Sequence, residues 1–327
     1  MNELLPDLAL VVARRTVFLR KEALAAGYDE STIQRFTRTG QWRRVRPGAF
    51  VTQDVWSGLD DRRMHVLRAK AVAARSRAAS VCSHTTSVVL LGGSTYNLVM
   101  DDVHVSRDKG KAGRFEAGVR RHRVQLDPVD VTVTDGLSHT VAARAVLEVL
   151  SISNVDTALC VANDFLHRGL VTIDELAAHA EVTRHWPGTL ASDLLLLRAD
   201  RRMESVAETL LDNLCYRHGV HGGQPQYEIR HEGQFLGRVD RAFPELGVWV
   251  EVDGRAKYTD FRREGQTLED VLIAEKNRQN LIAAYTGWEC VRLTWADLMR
   301  PARTAELLKA ALERGRRRMK AGPPVLT

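Results

Sequence analysis

The stretch from Leu236 to Tyr258, LGRVDRAFPELGVWVEVDGRAKY, holds two apolar, β-branched runs parted by Pro244-Glu245-Leu246-Gly247. A proline-to-glycine loop of four residues between such runs predicts an antiparallel hairpin with arms Leu236 to Phe243 and Val248 to Val252. If Phe243 pairs with Val248, counting outward sets Asp240 across from Glu251, their β-carbons roughly 5 Å apart. Two carboxylates that close repel, so this register requires a positive charge between them.

A divalent ion meets the requirement. Oxygen ligands from adjacent strands suit magnesium or manganese, which take one or two carboxylates and leave other positions to water and phosphate oxygen. Such an ion activates water and stabilises charge on a phosphate under attack. Asp253 follows Glu251 by two residues and shares its strand face. The same counting sets it opposite Arg238, so it reads first as a charge-paired neighbour and second as a ligand. On an edge strand these acids are simply solvated and the register is free to slip; the flanking sequence argues for a site. Upstream, SVAETLLDNL from Ser205 to Leu214 reads as a helix that puts Glu208 among Val206, Leu210, Leu211 and Leu214, near the face that docks on a sheet. Downstream, the run from Glu275 reads as a helix ended by Gly287, followed by a strand from Glu289 to Thr294.

The order of Glu208 on a helix, Arg238-Val239-Asp240, Val250-Glu251-Val252-Asp253-Gly254 with a basic residue soon after, E-K-x-R and G-W-x-x-V-R-L-T-W-x-D-L resembles the very-short-patch-repair-like branch of the PD-(D/E)XK nucleases. The resemblance runs from near Ser205 to Leu298. It implies an endonuclease in which Glu208 supports the site, Asp240 binds the metal and Glu251 completes the acidic set. It also implies Lys257, near a position where relatives often carry histidine, as a phosphate clamp or proton donor. The superfamily's acidic-x-Lys is Glu251-Val252-Asp253 here, so the lysine that commonly holds the attacking water is missing from its place. Lys257 or Lys276 is then the source of positive charge, since the chemistry needs a cation near the phosphate rather than one sequence address. Arg278 and Arg292 read as structural or phosphate-contacting.

Of the 327 residues, the first fifty hold nine basic residues against five acidic, in a chain of net charge +6. That balance fits a polyanionic partner. Thr16 to Tyr28 reads as a short helix capped by Thr16 and ended by Gly27. Ser31 caps a second helix, and Trp42 to Thr52 reads as a two-stranded wing turning at Pro47-Gly48. In this winged helix-turn-helix pattern Thr32, Gln34, Arg35 and Arg38 reach toward a major groove, while Arg43, Arg44 and Arg46 lie near phosphates. The segment resembles the N-terminal domain of the AbiEi-type antitoxins, through Ala23 to Gly27 and Arg44 to Phe50, which implies DNA binding and a cognate toxin as a possible partner. A small helix-turn-helix fold also serves as a protein-docking module.

The central region carries little legible chemistry. A helix from Arg62 to Ala79, the element VCSHTTSVVLLGG, a strand DDVHVS and a basic hairpin GVRRHRV precede helices from Ala142 to Leu176 with apolar stripes at Val146, Leu147, Leu150, Leu159, Phe165 and Leu166. His84, His104, His122 and His139 are spaced too irregularly for a metal cluster and read as isolated histidines. Arg120, Arg121 and Arg123 face either nucleic acid or solvent. Cys82, Cys160, Cys215 and Cys290 lack CxxC spacing and read as buried free thiols.

These readings predict an α+β protein in four parts: a winged helix-turn-helix over 1–54, a mixed α/β region over 55–200, a restriction-endonuclease-like α/β/α domain over 201–313 and a basic, disordered tail over 314–327. The expected function is metal-dependent hydrolysis of phosphodiester bonds in double-stranded DNA. The alternative is a non-cleaving transcriptional regulator or antitoxin, and an interaction module without a nucleic-acid role is a third class. No small-molecule cofactor is expected. No run approaches a membrane span and the N-terminus lacks a basic-then-apolar signal, which predicts a cytoplasmic protein.

Overall fold

The computed structural model describes residues 4–76, 80–108, 118–253 and 268–321. The chain is a mixture of helices and strands and divides into two compact units, Met1–Ala199 and Asp200–Thr327.

The first unit opens with α1 (Pro6–Arg15), β1 (Phe18–Leu19), α2 (Arg20–Ala25), α3 (Glu30–Arg38), β2 (Trp42–Arg46) and β3 (Ala49–Thr52), the strands pairing in the order β1-β3-β2. Trp42 is the hub of this part. Its ring meets Phe18, Tyr28 and Phe36 edge-on, with centroids 4.7, 5.0 and 5.1 Å away. Aromatic edge-to-face contacts of this kind add stability beyond the area they bury. The wing turns at Pro47-Gly48 as expected, Gly48 taking a φ of 71°. Two helix starts differ from the sequence reading. Thr16 ends α1 with a φ of 68° instead of capping the next helix, because Phe18 and Leu19 are drawn into pairing with Phe50 and Ala49. Asp29, not Ser31, caps α3: its carboxylate accepts from the Thr32 N–H at 2.7 Å, and the Ser31 hydroxyl donates to it.

Further along the same unit come α4 (Gln53–Trp56), α5 (Asp61–Arg75), β4 (Val81–Cys82), α6 (His84–Leu90), β5 (Val103–Arg107), β6 (Val119–Arg123), β7 (Val131–Thr134), β8 (Leu137–Thr140), α7 (Ala142–Ile152), α8 (Val155–His167), α9 (Ile173–Thr183) and α10 (Ser192–Arg198). The five strands run β6-β5-β4-β8-β7. The expected basic hairpin is a single edge strand, β6, lying parallel to β5 from Val103↔Val119 to Arg107↔Arg123. The apolar stripes are core, as expected: Val146, Leu147, Leu150, Leu159, Phe165 and Leu166 are all buried in one cluster of α7 and α8. Gly93 lets α8 close on this cluster, since a β-carbon there would stand 2.4 Å from the Phe165 ring.

The second unit comprises α11 (Val206–Arg217), β9 (Gln224–His231), β10 (Gln234–Phe243), β11 (Val248–Asp253), α12 (Leu268–Thr286), β12 (Glu289–Thr294), α13 (Trp295–Leu298) and α14 (Pro301–Ala321). The sheet order is β12-β11-β10-β9, and the β10–β11 register is the expected one: Phe243↔Val248, Ala242↔Trp249, Arg241↔Val250. Because α12 lies between β11 and β12 in the chain, β12 returns parallel to β11, so β11 is an interior strand. Glu251 therefore does not sit on an edge. Among the described residues, no helix is long and apolar enough to cross a membrane.

The expected disordered tail is helical as far as Ala321. Arg314 and Arg318, one turn apart on α14, both pair with Glu289 at the start of β12. Gly315 lies between them, where a β-carbon would fall 2.1 Å from the Leu246 carbonyl oxygen and 2.8 Å from Val248 Cγ2. Alanine in a helix interior gains about 1 kcal/mol over glycine, but forcing a methyl into a packed contact costs about 1–3 kcal/mol. Gly315→Ala is therefore expected to lower the urea midpoint of the chain. A raised midpoint would mean that α14 is not pressed on the hairpin turn.

Candidate functional site

The acidic set is built from α11 and from β10 and β11, the two interior strands. Ser205 caps α11 by accepting from the Glu208 N–H, and its hydroxyl donates back to Glu208 Oε1 at 2.7 Å. Two donors close on the other oxygen: the Glu204 N–H donates at 3.0 Å and Gln226 Nε2 at 2.6 Å to Oε2. Glu208 is 5% exposed. Burial raises the pKa of its carboxyl, against the Glu204 hydrogen bond; the charge of Asp240 pushes the same way as burial, and the bonds from Ser205 and Gln226 oppose it. Glu208 and Asp240 thus act on one another electrostatically.

Asp240 is half-buried one residue beyond the last ladder pair, Arg241↔Val250. Its Oδ2 accepts from the Val252 N–H at 2.8 Å, so a side-chain oxygen stands in where a backbone carbonyl would otherwise pair. That bond ties Asp240 to the strand carrying Glu251, in keeping with the expected juxtaposition. Glu251 is itself 5% exposed. Its Oε1 accepts from Arg278 Nη2 at 2.7 Å, while Arg278 Nη1 donates to the Arg238 carbonyl at 2.8 Å. Gly237 makes room for this reach, since a β-carbon there would lie 3.3 Å from Arg278 Cδ. A positive charge does sit beside the carboxylates, and α12 supplies it. The E-K-x-R run was the only sequence signal for Arg278, and nothing in its spacing assigned it to Glu251.

Asp253 departs from the reading that paired it with Arg238. The ladder with β10 ends at Arg241↔Val250, so Asp253 has no partner across that pair. It instead faces Arg292 of the parallel neighbour β12, at 3.6 Å, while Arg238 pairs with Glu204 at 2.9 Å. Lys257 lies outside the described residues. Lys276 is exposed on α12.

In the first unit, Gln34, Arg35 and Arg38 are exposed on α3 and Thr32 is half-buried, because Ile33 and Phe36 take the inward face. On β2, Arg43 and Arg44 are exposed and Arg46 is half-buried, Trp42 and Val45 pointing inward. Arg43 Nε is steadied by Gln53 Oε1 at 2.6 Å.

The reading of four isolated histidines is overturned for three of them. His84, His104 and His122 each offer a ring nitrogen within 4.8 Å of the others. Irregular sequence spacing hid this because α6, β5 and β6 are neighbours in space. His139 is apart, its ring held by the Thr140 carbonyl and the Thr134 hydroxyl. No protein-family model matches the sequence, and no curated protein matches it either.

Removing one partner of a buried ion pair strands the other, at a cost of about 3–5 kcal/mol. Arg278→Ala removes the partner of Glu251 Oε1, and as a quarter of the Arg278 side chain is exposed, a loss near the low end, roughly 3 kcal/mol, is expected. Arg292→Ala removes a longer, more exposed pair and should cost less than about 1 kcal/mol. Urea unfolding of the two variants tests the contrast; equal losses would show that Glu251 does not depend on Arg278.

Proposed function

We propose that the chain is a DNA-binding protein whose second unit hydrolyses phosphodiester bonds with magnesium or manganese, held by Asp240 and Glu251. The reading rests on Asp240, whose charge acts on Glu208 and whose Oδ2 accepts from the Val252 N–H one residue after Glu251, with Glu208 and Glu251 both buried. An all-oxygen donor set of this kind fits a hard divalent cation better than a softer one. When bound, the ion supplies a more acidic water and charge stabilisation at the phosphate. Asp240 keeps Oδ2 on the Val252 N–H, and Glu208 holds the α11 end in place through Ser205 and Gln226. Arg278 shares Glu251 with the ion. Lys257 and Lys276 remain candidates for the phosphate clamp.

In the same reading α1 to β3 form a winged helix-turn-helix. Thr32, Gln34, Arg35 and Arg38 on α3 enter the major groove, and Arg43, Arg44 and Arg46 on β2 lie along the backbone. Exposed arginines on one helix and one adjoining strand, set over an aromatic core, support it.

One observation favours a second reading, a non-cleaving regulator or antitoxin with a cognate toxin. Asp253 occupies the position of the usual lysine, and Arg278 already balances Glu251. Incubating the protein and Asp240→Asn with plasmid and linear duplex in magnesium or manganese separates the two. Cleavage by the parent alone, with duplex affinity kept in the variant, is the expected result. Salt-sensitive binding without cleavage supports the regulator, and neither activity refutes both. Replacing Arg35 and Arg38 together by alanine is expected to weaken binding and to flatten the salt dependence by up to about two phosphate contacts; an unchanged affinity removes α3 as the recognition helix.

A further inference from the structure

The histidine cluster lies in the first unit, apart from the acidic set. β5 and β6 are parallel with His104 opposite Arg120 and Ser106 opposite His122, so His104 and His122 stand two register positions apart and share a sheet face. His84 arrives from the turn after β4, which pairs with β5, and the Ser83 N–H donates to the His104 carbonyl at 3.1 Å. Three elements distant in sequence thus deliver imidazoles to one spot. His84 does so at φ 53°, a conformation a non-glycine residue rarely adopts. Its N–H is held there by Glu148 Oε2 at 2.8 Å. Strained backbone of this kind persists where the surroundings fix it, often at functional sites.

We propose that His84, His104 and His122 bind a zinc-class divalent ion whose fourth position, taken by water, opens on the adjoining cavity. Ligand nitrogens of a tetrahedral zinc stand about 3.3 Å apart. His104 Nδ1 and His122 Nε2 are already 3.0 Å apart. One ring nitrogen from each of the three lies within 4.8 Å of the other two. His84 is stacked on His122 with ring centroids 3.7 Å apart, which sets the third imidazole against the other two.

The protonation state suits ligation. Burial lowers His84 well below the ordinary imidazole value, His104 to about 3 and His122 to about 4, and the neighbouring histidines and Arg120 push the same way. Neutral imidazoles, each with one unprotonated nitrogen, are the form that a metal takes. The supporting groups also match what a metal-bound histidine needs. Ser83 Oγ lies 2.9 Å from His84 Nδ1, and the buried Glu148, fixed by Thr140 and Arg144, lies 3.9 Å from the same nitrogen. The cavity, about 290 Å³, is lined by His84, His122, Arg123, Glu148, Ser151 and Trp186. Closed structural zinc sites use four protein ligands; three histidines beside an open cavity leave one position for water.

The test is a cobalt(II) titration of the full chain, prepared without a polyhistidine tag, followed by the visible absorption of four-coordinate cobalt. The parent and Asp240→Asn should both bind one equivalent that zinc displaces, and His122→Gln should lose the signal while keeping its circular dichroism. No visible band in the parent, or an undiminished band in His122→Gln, overturns the proposal. If His122→Gln does not fold, the parent alone decides: imidazole ¹⁵N resonances of the three histidines shift on adding zinc, and unshifted resonances overturn it.

Discussion

Burial of Glu251 on an interior strand governs the second unit. A carboxylate 5% exposed inside a sheet is tolerated only with its charge answered, and the answer comes from Arg278 on α12. Arg278 ties the helix between β11 and β12 to the hairpin through Glu251 and the Arg238 carbonyl, and its reach depends on Gly237 leaving a gap over which the arginine can lie. The neighbouring Asp240 serves the same region differently, by replacing a ladder acceptor for Val252. The two acids are thus fixed by backbone and helix before any ligand is considered. Under the proposed function, a site prepared in this way would lose little in ordering on taking up an ion.

Much of this was legible in local sequence. Pro244 to Gly247 set the hairpin turn, and the alternation on either side set its register, which the structure reproduces pair for pair from Phe243↔Val248. Glu208 was placed by helical periodicity, and Gly287 by its position between helix and strand. What stayed hidden were contacts between elements far apart in the chain. Nothing near Asp253 announced Arg292, because the partner strand returns parallel through α12. The start of α3 was misplaced by two residues because Asp29 and Ser31 are both good caps, and the carboxylate took the Thr32 N–H while Ser31 donated to it.

The histidines give the clearest case of that limit. His84, His104 and His122 have no common spacing, and each alone reads as an ordinary core or surface residue. Parallel pairing of β5 with β6, and antiparallel pairing of β4 with β5, converts three unrelated positions into one cluster. A basic hairpin, the local reading of the segment around His122, would have aimed that ring elsewhere. Sequence periodicity predicts faces within an element well, while parallel neighbours, joined through long connections, escape it.

The central claim is that the carboxylates of β10 and β11 form a divalent-cation site. Electron paramagnetic resonance of manganese(II), titrated into the chain with duplex DNA present, reads occupancy directly from the loss of the free-ion signal. The account predicts a bound equivalent that disappears in Glu251→Gln and survives in His122→Gln. Equal binding by the parent and Glu251→Gln, or none by the parent, would contradict it.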